Sequence, residues 1–214
     1  LDQGNTKNFT CSYHGWTYSS EGKLVGVPYL KEYYYGELDK ENWGLIQVPR
    51  VEEYKGLFFG NFDSKAPSLS DYLGDMAWYL DLLLDRRAGG TELLGGAHKW
   101  VINANWKFAA ENFLGDMYHA NMTHASAMKT GFGGNQSGAG YKQDTQGFQI
   151  SVKGGHGLGA RWLKGGDAAV GSPSPVIDAY IRESASELEG RLGMVRVQML
   201  SPIHATVFPN FSFL

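Results

Sequence analysis

The sequence is poorest in cysteine, because Cys11 is the only one among 214 residues. One thiol cannot form an internal disulfide, which fits a protein of the reducing cytoplasm. No apolar run approaches the roughly 20 residues needed to cross a bilayer, and no signal peptide opens the sequence. A strong excess of one charge is also missing, since 19 basic and 22 acidic residues give a net charge of −3. We therefore expect neither nucleic acid nor a membrane among its partners.

Glycine is abundant, with 29 of the 214 residues. Much of this excess lies between residues 131 and 171, which indicates a local loop region rather than a repeat. A dinucleotide-binding motif is not part of it, since Gly131-Phe-Gly-Gly134 lacks both the Gly-x-Gly-x-x-Gly spacing and a preceding strand. The length allows one or two domains with a sizeable core.

The two ends indicate a piece of a longer gene product. The chain begins with Leu1 rather than Met, and it ends on the apolar, strand-like run Val207–Leu214. Natural domains seldom end within a buried element. A trimmed but complete domain is the alternative.

A change of hydrophobic period divides the chain near residue 65. Residues 1–64 alternate turn signals with short aromatic and β-branched runs, which predicts an all-β region. From Ser70 onward, apolar residues recur at helical spacing as far as Gly89-Gly90. We therefore predict one domain over residues 1–65 and a second over residues 66–214.

The second predicted domain has its helices and strands in blocks. Alternating apolar residues predict a strand over residues 98–108, and a helix follows over 109–120. The segment 129–172 is rich in loops with short strands. A helical stripe runs over residues 176–192, and residues 194–214 return to strand. Blocks of this kind predict an α+β fold with an antiparallel sheet rather than a doubly wound α/β fold.

The segment Cys11-Ser-Tyr-His14 has the spacing of half a metal site. A lone cysteine can also be a small buried hydrophobe, and Cys-x2-His is half of many zinc sites. Zinc is disfavoured because no second Cys/His pair follows downstream. A Rieske [2Fe–2S] centre needs two cysteines and two histidines, and this chain has no second cysteine.

A second group of candidate ligands lies at Asp116, His119 and His124. On a helix Asp116 and His119 would share one face, whereas His119 and His124 would be about 140° apart. The two histidines converge only if the helix deforms or ends between them, which Asn121 and Thr123 favour as weak helix formers. Two imidazoles and a carboxylate suit a non-haem Fe(II) oxygenase, with Asp116 as a ligand or as the partner of a ligating histidine. A buried helix with hydrogen-bonded histidines is the alternative.

Together these segments resemble a known family, the large (α) subunits of Rieske non-haem iron aromatic-ring-hydroxylating dioxygenases of the naphthalene/biphenyl/toluene type. Cys11–Trp16, followed by Gly22–Pro28, resembles the second cluster-ligand loop of that family. Asn105–His119, continued by Thr123-His124, resembles its mononuclear-iron segment. The similarity extends over the whole chain and is weakest in residues 129–172.

The resemblance implies how the chain is built. Residues 1–65 would be the C-terminal part of an all-β Rieske domain. Residues 66–214 would be the N-terminal and central part of a helix-grip-like catalytic domain, with an antiparallel sheet and helices. A Cys-x-His loop would precede Leu1, and an aspartate, the third iron ligand, would follow Leu214. The chain would thus be an internal fragment, inactive alone.

The resemblance also implies roles for individual residues. Cys11 and His14 would hold the [2Fe–2S] cluster, and His119 and His124 would hold Fe(II). Asp116 would link His119 to the cluster of a neighbouring subunit and so belong to the electron path.

Substrate-pocket positions are implied as well, namely Asn112, Phe113, Met117, Ala120 and His204. For His204, a strand histidine at a wet edge is an equally open interpretation. His98 and His156 are interpreted as surface or loop histidines without a role.

The implied reaction uses NADH and O2 to convert an aromatic hydrocarbon into a cis-dihydrodiol. Electrons would come through a reductase and a ferredoxin, and a small β subunit would complete an α3β3 assembly in the cytoplasm. A Rieske monooxygenase or demethylase acting on a polar aromatic is one alternative. A non-enzymatic electron carrier or zinc-binding module is another. The sequence does not identify the aromatic substrate.

Overall fold

The computed structural model describes residues 4–92, 94–95, 99, 101–116, 119–126, 147–161, 175–199 and 201–213. Internal contacts divide the chain into two units, Leu1–Glu52 with Phe58–Ala66, and Glu53–Leu57 with Pro67–Leu214. The assignment of domains to residues 1–65 and 66–214 stays a prediction. No helix in the described ranges is long and apolar enough to cross a bilayer.

The first unit contains a three-stranded antiparallel sheet in the order β1-β2-β3. Its strands are β1 (Asn8–Thr10), β2 (Thr17–Ser19) and β3 (Leu24–Gly26). The turn between β2 and β3 forms at Gly22, whose φ of 80° suits glycine. Ser19 Oγ supports this turn by accepting hydrogen bonds from two backbone amides, those of residues 21 and 23.

Two short helical segments interrupt this β-rich region, helix α1 (Leu30–Tyr34) and a 3₁₀ helix over Lys40–Trp43. Strands β4 (Arg50–Tyr54) and β5 (Leu57–Asn61) then form a two-stranded sheet. Lys55 and Gly56 both have positive φ, 47° and 89°. Positive φ at both central residues is typical of the type I′ hairpin turn.

The helix predicted from Ser70 to Gly89-Gly90 is divided into α2 (Leu69–Leu73) and α3 (Met76–Leu84). Gly74 separates them with φ 47° and ψ −128°, a conformation open to glycine that breaks the helical hydrogen bonding. The buried face is therefore not the continuous stripe that the sequence predicted. Its residues are Leu73, Met76, Leu80 and Leu82, whereas Leu83 and Leu84 are only half-buried.

The predicted strand over residues 98–108 is wrong in its described part. Residues 101–105 are not in a strand, and helix α4 already begins at Lys107 (Lys107–Gly115). Asn105 Oδ1 accepts a hydrogen bond from the Lys107 amide at 3.0 Å, which satisfies one of the free donors at the helix start. A second short helix, α5 (Ala120–Thr123), follows. The predicted helix 109–120 is thus displaced and divided.

The second unit is built on a four-stranded antiparallel sheet in the order β6-β7-β8-β9. Its strands are β6 (Gly147–Val152), β7 (His156–Arg161), β8 (Ser201–Val207) and β9 (Phe211–Phe213). Helix α4 packs on β7 and β8. The antiparallel sheet confirms the predicted α+β class.

The last long helix of the described residues is α6 (Pro175–Gln198), whose backbone leaves the helical conformation at Gly193. The helix predicted over residues 176–192 is confirmed. The strand predicted over residues 194–214 begins too early, because the chain is still helical up to Gln198.

Charged residues connect α3 and α6 with the β4–β5 turn. Lys55 Nζ lies 2.7 Å from Asp81 Oδ1 and 3.0 Å from Asp85 Oδ2, and Arg191 also contacts Asp85. Hydrogen bonds from Lys55 and Arg191 hold the pKa of Asp85 below its usual value. The Tyr54 hydroxyl donates to Asp81 Oδ1 at 2.8 Å, and burial together with this bond raises the pKa of Tyr54.

His156 is fully buried, so its interpretation as a surface or loop histidine is wrong. The Phe208 amide donates to Nδ1 at 3.0 Å, and Nε2 therefore carries the proton that is donated to Tyr72 O at 2.9 Å. The Tyr72 ring packs edge-on against the imidazole, and its hydroxyl donates to Phe208 O. His156 thus joins α2, β7 and the turn after β8. His98 lies outside the described residues.

Gly157 on β7 lies where α4 approaches the sheet closely. A Cβ atom at this position would be 2.7 Å from Leu114 Cγ of α4 and 2.6 Å from the backbone oxygen of Ile150 on β6. The side chain could move, but the oxygen belongs to the β6–β7 ladder. The space at this point admits only glycine.

We expect Gly157→Ala to lower the free energy of unfolding by about 1–3 kcal/mol, because no rotamer change relieves a contact with a backbone oxygen. Gly190→Ala on α6 is the matched control, since nothing lies within 4 Å of its added Cβ. The control should be neutral or stabilise the helix by up to about 1 kcal/mol. Urea denaturation measures both, and an unchanged stability for Gly157→Ala would contradict the close approach.

Candidate metal centres

The first candidate centre is the loop between β1 and β2, which carries Cys11 and His14. The amide of Cys11 donates to Trp16 O at 2.8 Å, and the amide of Gly15 donates to Cys11 O at 3.0 Å. These bonds close the loop on itself, and both side chains are exposed. The His14 ring packs against Tyr13 with the ring centroids 3.8 Å apart.

Gly15 gives this loop its shape. Its φ of +74° is in the left-handed region, and a Cβ would lie 2.9 Å from Pro28 Cγ. The following Trp16 packs edge-on against Tyr34 and Trp43. The loop is therefore held from behind by a turn and by aromatic packing, while its thiol and imidazole face solvent.

The second candidate centre follows the C-terminal end of α4. Helix α4 ends at Gly115, and Asp116 caps it with an amide that donates to Asn112 O at 3.4 Å. His119 lies immediately before α5, and His124 lies immediately after it. The two histidines therefore do not share one regular helix, which was the condition for their convergence. Their Nε2 atoms lie 3.1 Å apart.

Asp116 lies on the opposite side of the His119 ring. Its Oδ2 atom is 2.9 Å from His119 Nδ1, although the direction is not that of a hydrogen bond. Among the described residues, Nδ1 has no hydrogen-bond partner despite being buried. The arrangement is that of a carboxylate beside a histidine whose other nitrogen points at a second imidazole. Carboxylate, histidine and metal follow one another in this order in many metalloproteins.

The two Nε2 atoms have the separation that one shared metal ion requires. Nitrogen atoms bound to one ion at about 2.1 Å and at right angles to each other would be about 3.0 Å apart. Neutral imidazoles are also ligands that suit non-haem iron. Within the described ranges no three His, Cys, Asp or Glu residues form a complete metal-binding group. The residues present thus fit two positions of an iron site.

The predicted pocket residues are only partly described. Asn112 is exposed and Phe113 is half-buried on α4, whereas Met117 and the side chain of Ala120 lie outside what the structure describes. His204 on β8 is 6% exposed, so the interpretation as a histidine at a wet edge is wrong.

His204 faces the last turn of α4. Its Nδ1 is 2.9 Å from Phe113 O, and a carbonyl only accepts, so Nδ1 carries the proton. In the neutral ring Nε2 is then an unprotonated acceptor, and it is buried without a partner among the described residues.

Thr206, two residues further along β8, was not found from the sequence. It is fully buried, and its hydroxyl donates to Ala110 O of α4 at 3.0 Å. The signal that could have indicated it is its position, because Thr206 lies two residues after His204 and therefore shares its face of β8.

Two family models match this chain. The model of the Rieske [2Fe–2S] domain matches residues 1–54, and the model of the ring hydroxylating alpha subunit (catalytic domain) matches residues 69–214. The chain belongs to the α subunits of Rieske ring-hydroxylating oxygenases. Members of this family are oxidoreductases with a [2Fe–2S] cluster and a non-haem Fe(II) centre that uses O2.

Individual relatives agree with this family. The chain is 42% identical over its whole length to the large oxygenase component of the naphthalene 1,2-dioxygenase system of Pseudomonas aeruginosa, covering 48% of that protein. It is 44% identical to biphenyl 2,3-dioxygenase subunit alpha of Rhodococcus jostii (strain RHA1), covering 47%. A solved structure of a naphthalene 1,2-dioxygenase variant bound to phenanthrene aligns with 98% of the chain and 48% of its own, with 42% identity and a TM-score of 0.79. The chain thus spans about half the length of the relatives it matches.

We expect Gly15→Ala, tested in the full-length protein, to reduce [2Fe–2S] content, because the added Cβ collides with Pro28 behind Cys11 and His14. Gly36→Ala is the matched control, since Gly36 also has positive φ but open space around it. Both substitutions carry a backbone strain of about 1–3 kcal/mol, whereas only the first deforms the ligand loop. Visible absorption of the purified protein measures the cluster, and equal cluster content in the two variants would contradict this expectation.

Proposed function

We propose that this chain is part of the large subunit of an aromatic-ring dioxygenase that converts an aromatic hydrocarbon into a cis-dihydrodiol. The observation that carries the proposal is the 3.1 Å separation of the His119 and His124 Nε2 atoms, in a chain whose family uses non-haem iron. The reaction balances with NADH as reductant. One ring π bond is replaced by two C–O bonds and supplies two of the four electrons that O2 accepts as its O–O bond breaks. NADH supplies the other two electrons and becomes NAD+, and its hydrogen together with one solvent proton accounts for the two hydroxyl hydrogens.

The proposal gives the candidate ligands distinct roles. Cys11 and His14 would bind different irons of the cluster, since in a Rieske centre two cysteines hold one iron and two histidines hold the other. His119 and His124 would supply two neutral nitrogen ligands to the mononuclear iron. When bound, these two centres supply one-electron transfer and O2 activation, respectively.

Asp116 would act through His119. Its carboxylate lies beside the Nδ1 side of the ring, so it can keep the ring oriented with Nε2 toward the metal position. The proposal also places Asp116 on the electron path between His119 and the cluster of a neighbouring α subunit. Electrons would reach that cluster from NADH through a reductase and a ferredoxin.

The proposed substrate is a flat, apolar arene held mainly by shape. Asn112, Phe113, Met117, Ala120 and His204 are the proposed pocket positions. Phe113 and His204 are in contact through the Phe113 carbonyl, which supports their placement on one side of the site. A pocket that recognises shape distinguishes methylene-sized differences by only about 1–3 kcal/mol, so we expect several arenes to be accepted.

The proposed partners follow from the relatives, which are large components of multicomponent oxygenase systems. We propose a small β subunit, an α3β3 assembly, and a ferredoxin and reductase as electron donors. A cytoplasmic location is proposed from the single cysteine of this chain.

The test uses the full-length protein with its partners and two reciprocal substitutions. We expect His119→Ala to abolish dihydrodiol formation and to lower the affinity for the mononuclear iron by more than the about 10–100-fold that follows loss of a group that only orients a ligand, while the Rieske EPR signal stays intact. His14→Ala should have the opposite effect on the two metal centres. The Rieske EPR signal should be lost, whereas the mononuclear iron should stay bound.

Three results would contradict the proposal. Loss of the cluster signal in a folded His119→Ala protein would overturn the assignment of roles. A phenol or aldehyde as the product of the wild-type protein would indicate a monooxygenase or demethylase. Zinc in place of iron, with His119 and His124 dispensable, would indicate a non-enzymatic module.

A further inference from the structure

Two side chains of β8 donate hydrogen bonds to the main chain of α4. His204 Nδ1 donates to Phe113 O at 2.9 Å, and Thr206 Oγ1 donates to Ala110 O at 3.0 Å. The donors are two residues apart on one strand face, and the acceptors are three residues apart on one helix face. The strand therefore contacts the helix through two matched polar bonds in a buried layer.

The direction of the protons around Thr206 is determined by its partners. The Ala110 carbonyl only accepts, so the single hydroxyl proton of Thr206 lies toward it. Ser212 Oγ on β9 is 2.9 Å from Thr206 Oγ1, and it must therefore be the donor in that contact. A chain of hydrogen bonds thus leads from Ser212 through Thr206 to α4.

These bonds act on the turns just before the candidate iron ligands. Phe113 belongs to the last turn of α4, whose carbonyls lack regular donors within the helix. In the same turn, Leu114 lies against Gly157, and Gly115 lies so close to Gln149 that an added Cβ would be 3.3 Å from its Oε1 atom. The C-terminal end of α4 is consequently fixed on the sheet immediately before Asp116.

We propose that Thr206 is a positioning residue of the mononuclear iron site, acting through the Ala110 carbonyl. This inference rests on the proposed function, since it assigns a purpose to the position of α4. The hydroxyl holds the helix in one rotation and at one height on the sheet, and the segment that carries Asp116, His119 and His124 follows that fixed end. Metal geometry tolerates displacements of only about 0.5 Å, so a small shift of α4 would move this segment out of the position in which it offers ligands to the metal.

The experiment compares three variants of the full-length oxygenase by Co(II) binding to protein depleted of mononuclear iron. Thr206→Val keeps the shape and removes the hydroxyl, and we expect its Co(II) affinity to fall about tenfold. Thr206→Ser keeps the hydroxyl and removes the methyl group, and its affinity should stay within about twofold of wild type.

Ser184→Ala is the control for a lost buried hydroxyl. Ser184 is 3% exposed and donates to Tyr180 O at 2.8 Å within α6, a helix without candidate ligands. Both substitutions remove a buried hydroxyl from the second unit, but Ser184→Ala should leave Co(II) affinity unchanged. A fall in affinity for Ser184→Ala equal to that for Thr206→Val would show that the loss of any buried hydroxyl explains the effect and would overturn the inference.

Two further results would overturn the proposed positioning role of Thr206. One is a Co(II) affinity of Thr206→Val equal to that of the wild type, and the other is a loss of affinity in Thr206→Ser as large as in Thr206→Val. If Thr206→Val does not fold, Ser212→Ala takes its place, because it removes the donor to Thr206 and should weaken Co(II) binding by a smaller factor. Wild-type affinity there would count against the inference.

Failure of the proposed function gives a different result. In that case the wild-type protein would show no Co(II) binding that depends on His119. If wild-type binding depends on His119 and Thr206→Val matches it, only the positioning role is wrong.

Discussion

The fixed packing of helix α4 on the four-stranded sheet is the constraint on which the candidate iron site depends. Because residue 157 of β7 is glycine, α4 approaches the sheet so closely that Leu114 would collide with any larger side chain at that position. His204 and Thr206 then fix the helix along and around its axis through two carbonyls. Apolar contact alone permits sliding, whereas a directed hydrogen bond weakens steeply when its angle changes. The combination explains how a short helix of nine residues can place the ligands that follow it.

The two candidate centres are positioned by different means. The Cys11–His14 loop is closed by its own backbone hydrogen bonds and a left-handed glycine, and the aromatic residues that pack against Trp16 lie within about 30 residues of it. The His119–His124 pair depends on strands that lie about 30 to 90 residues further along the chain. A local loop can be inferred from a short motif, whereas a long-range site requires the fold.

This difference decides how much could be predicted from the sequence. The residue types of both centres and the α+β class were accessible, because ligand chemistry and periodicity are visible in short windows. The break at Gly74 and the start of α4 at Lys107 were not predicted, since a permissive glycine and one hydrogen bond from the Lys107 amide to the Asn105 side chain outweighed the apolar spacing. His156 and Thr206 were missed for a related reason. Their importance comes from backbone groups of distant residues, and nothing in the neighbouring sequence reports those groups.

The β4–β5 turn has a consequence for how this protein can be divided. Residues Glu53–Leu57 belong by their contacts to the second unit, although the chain on both sides of them belongs to the first. Lys55 carries this attachment through Asp81 and Asp85 of the helix α3 region. A chimera that joins two relatives at residue 66 would therefore pair a turn from one parent with carboxylates from the other. Recombination between such subunits should succeed more often when the five residues of the turn are exchanged together with the second unit.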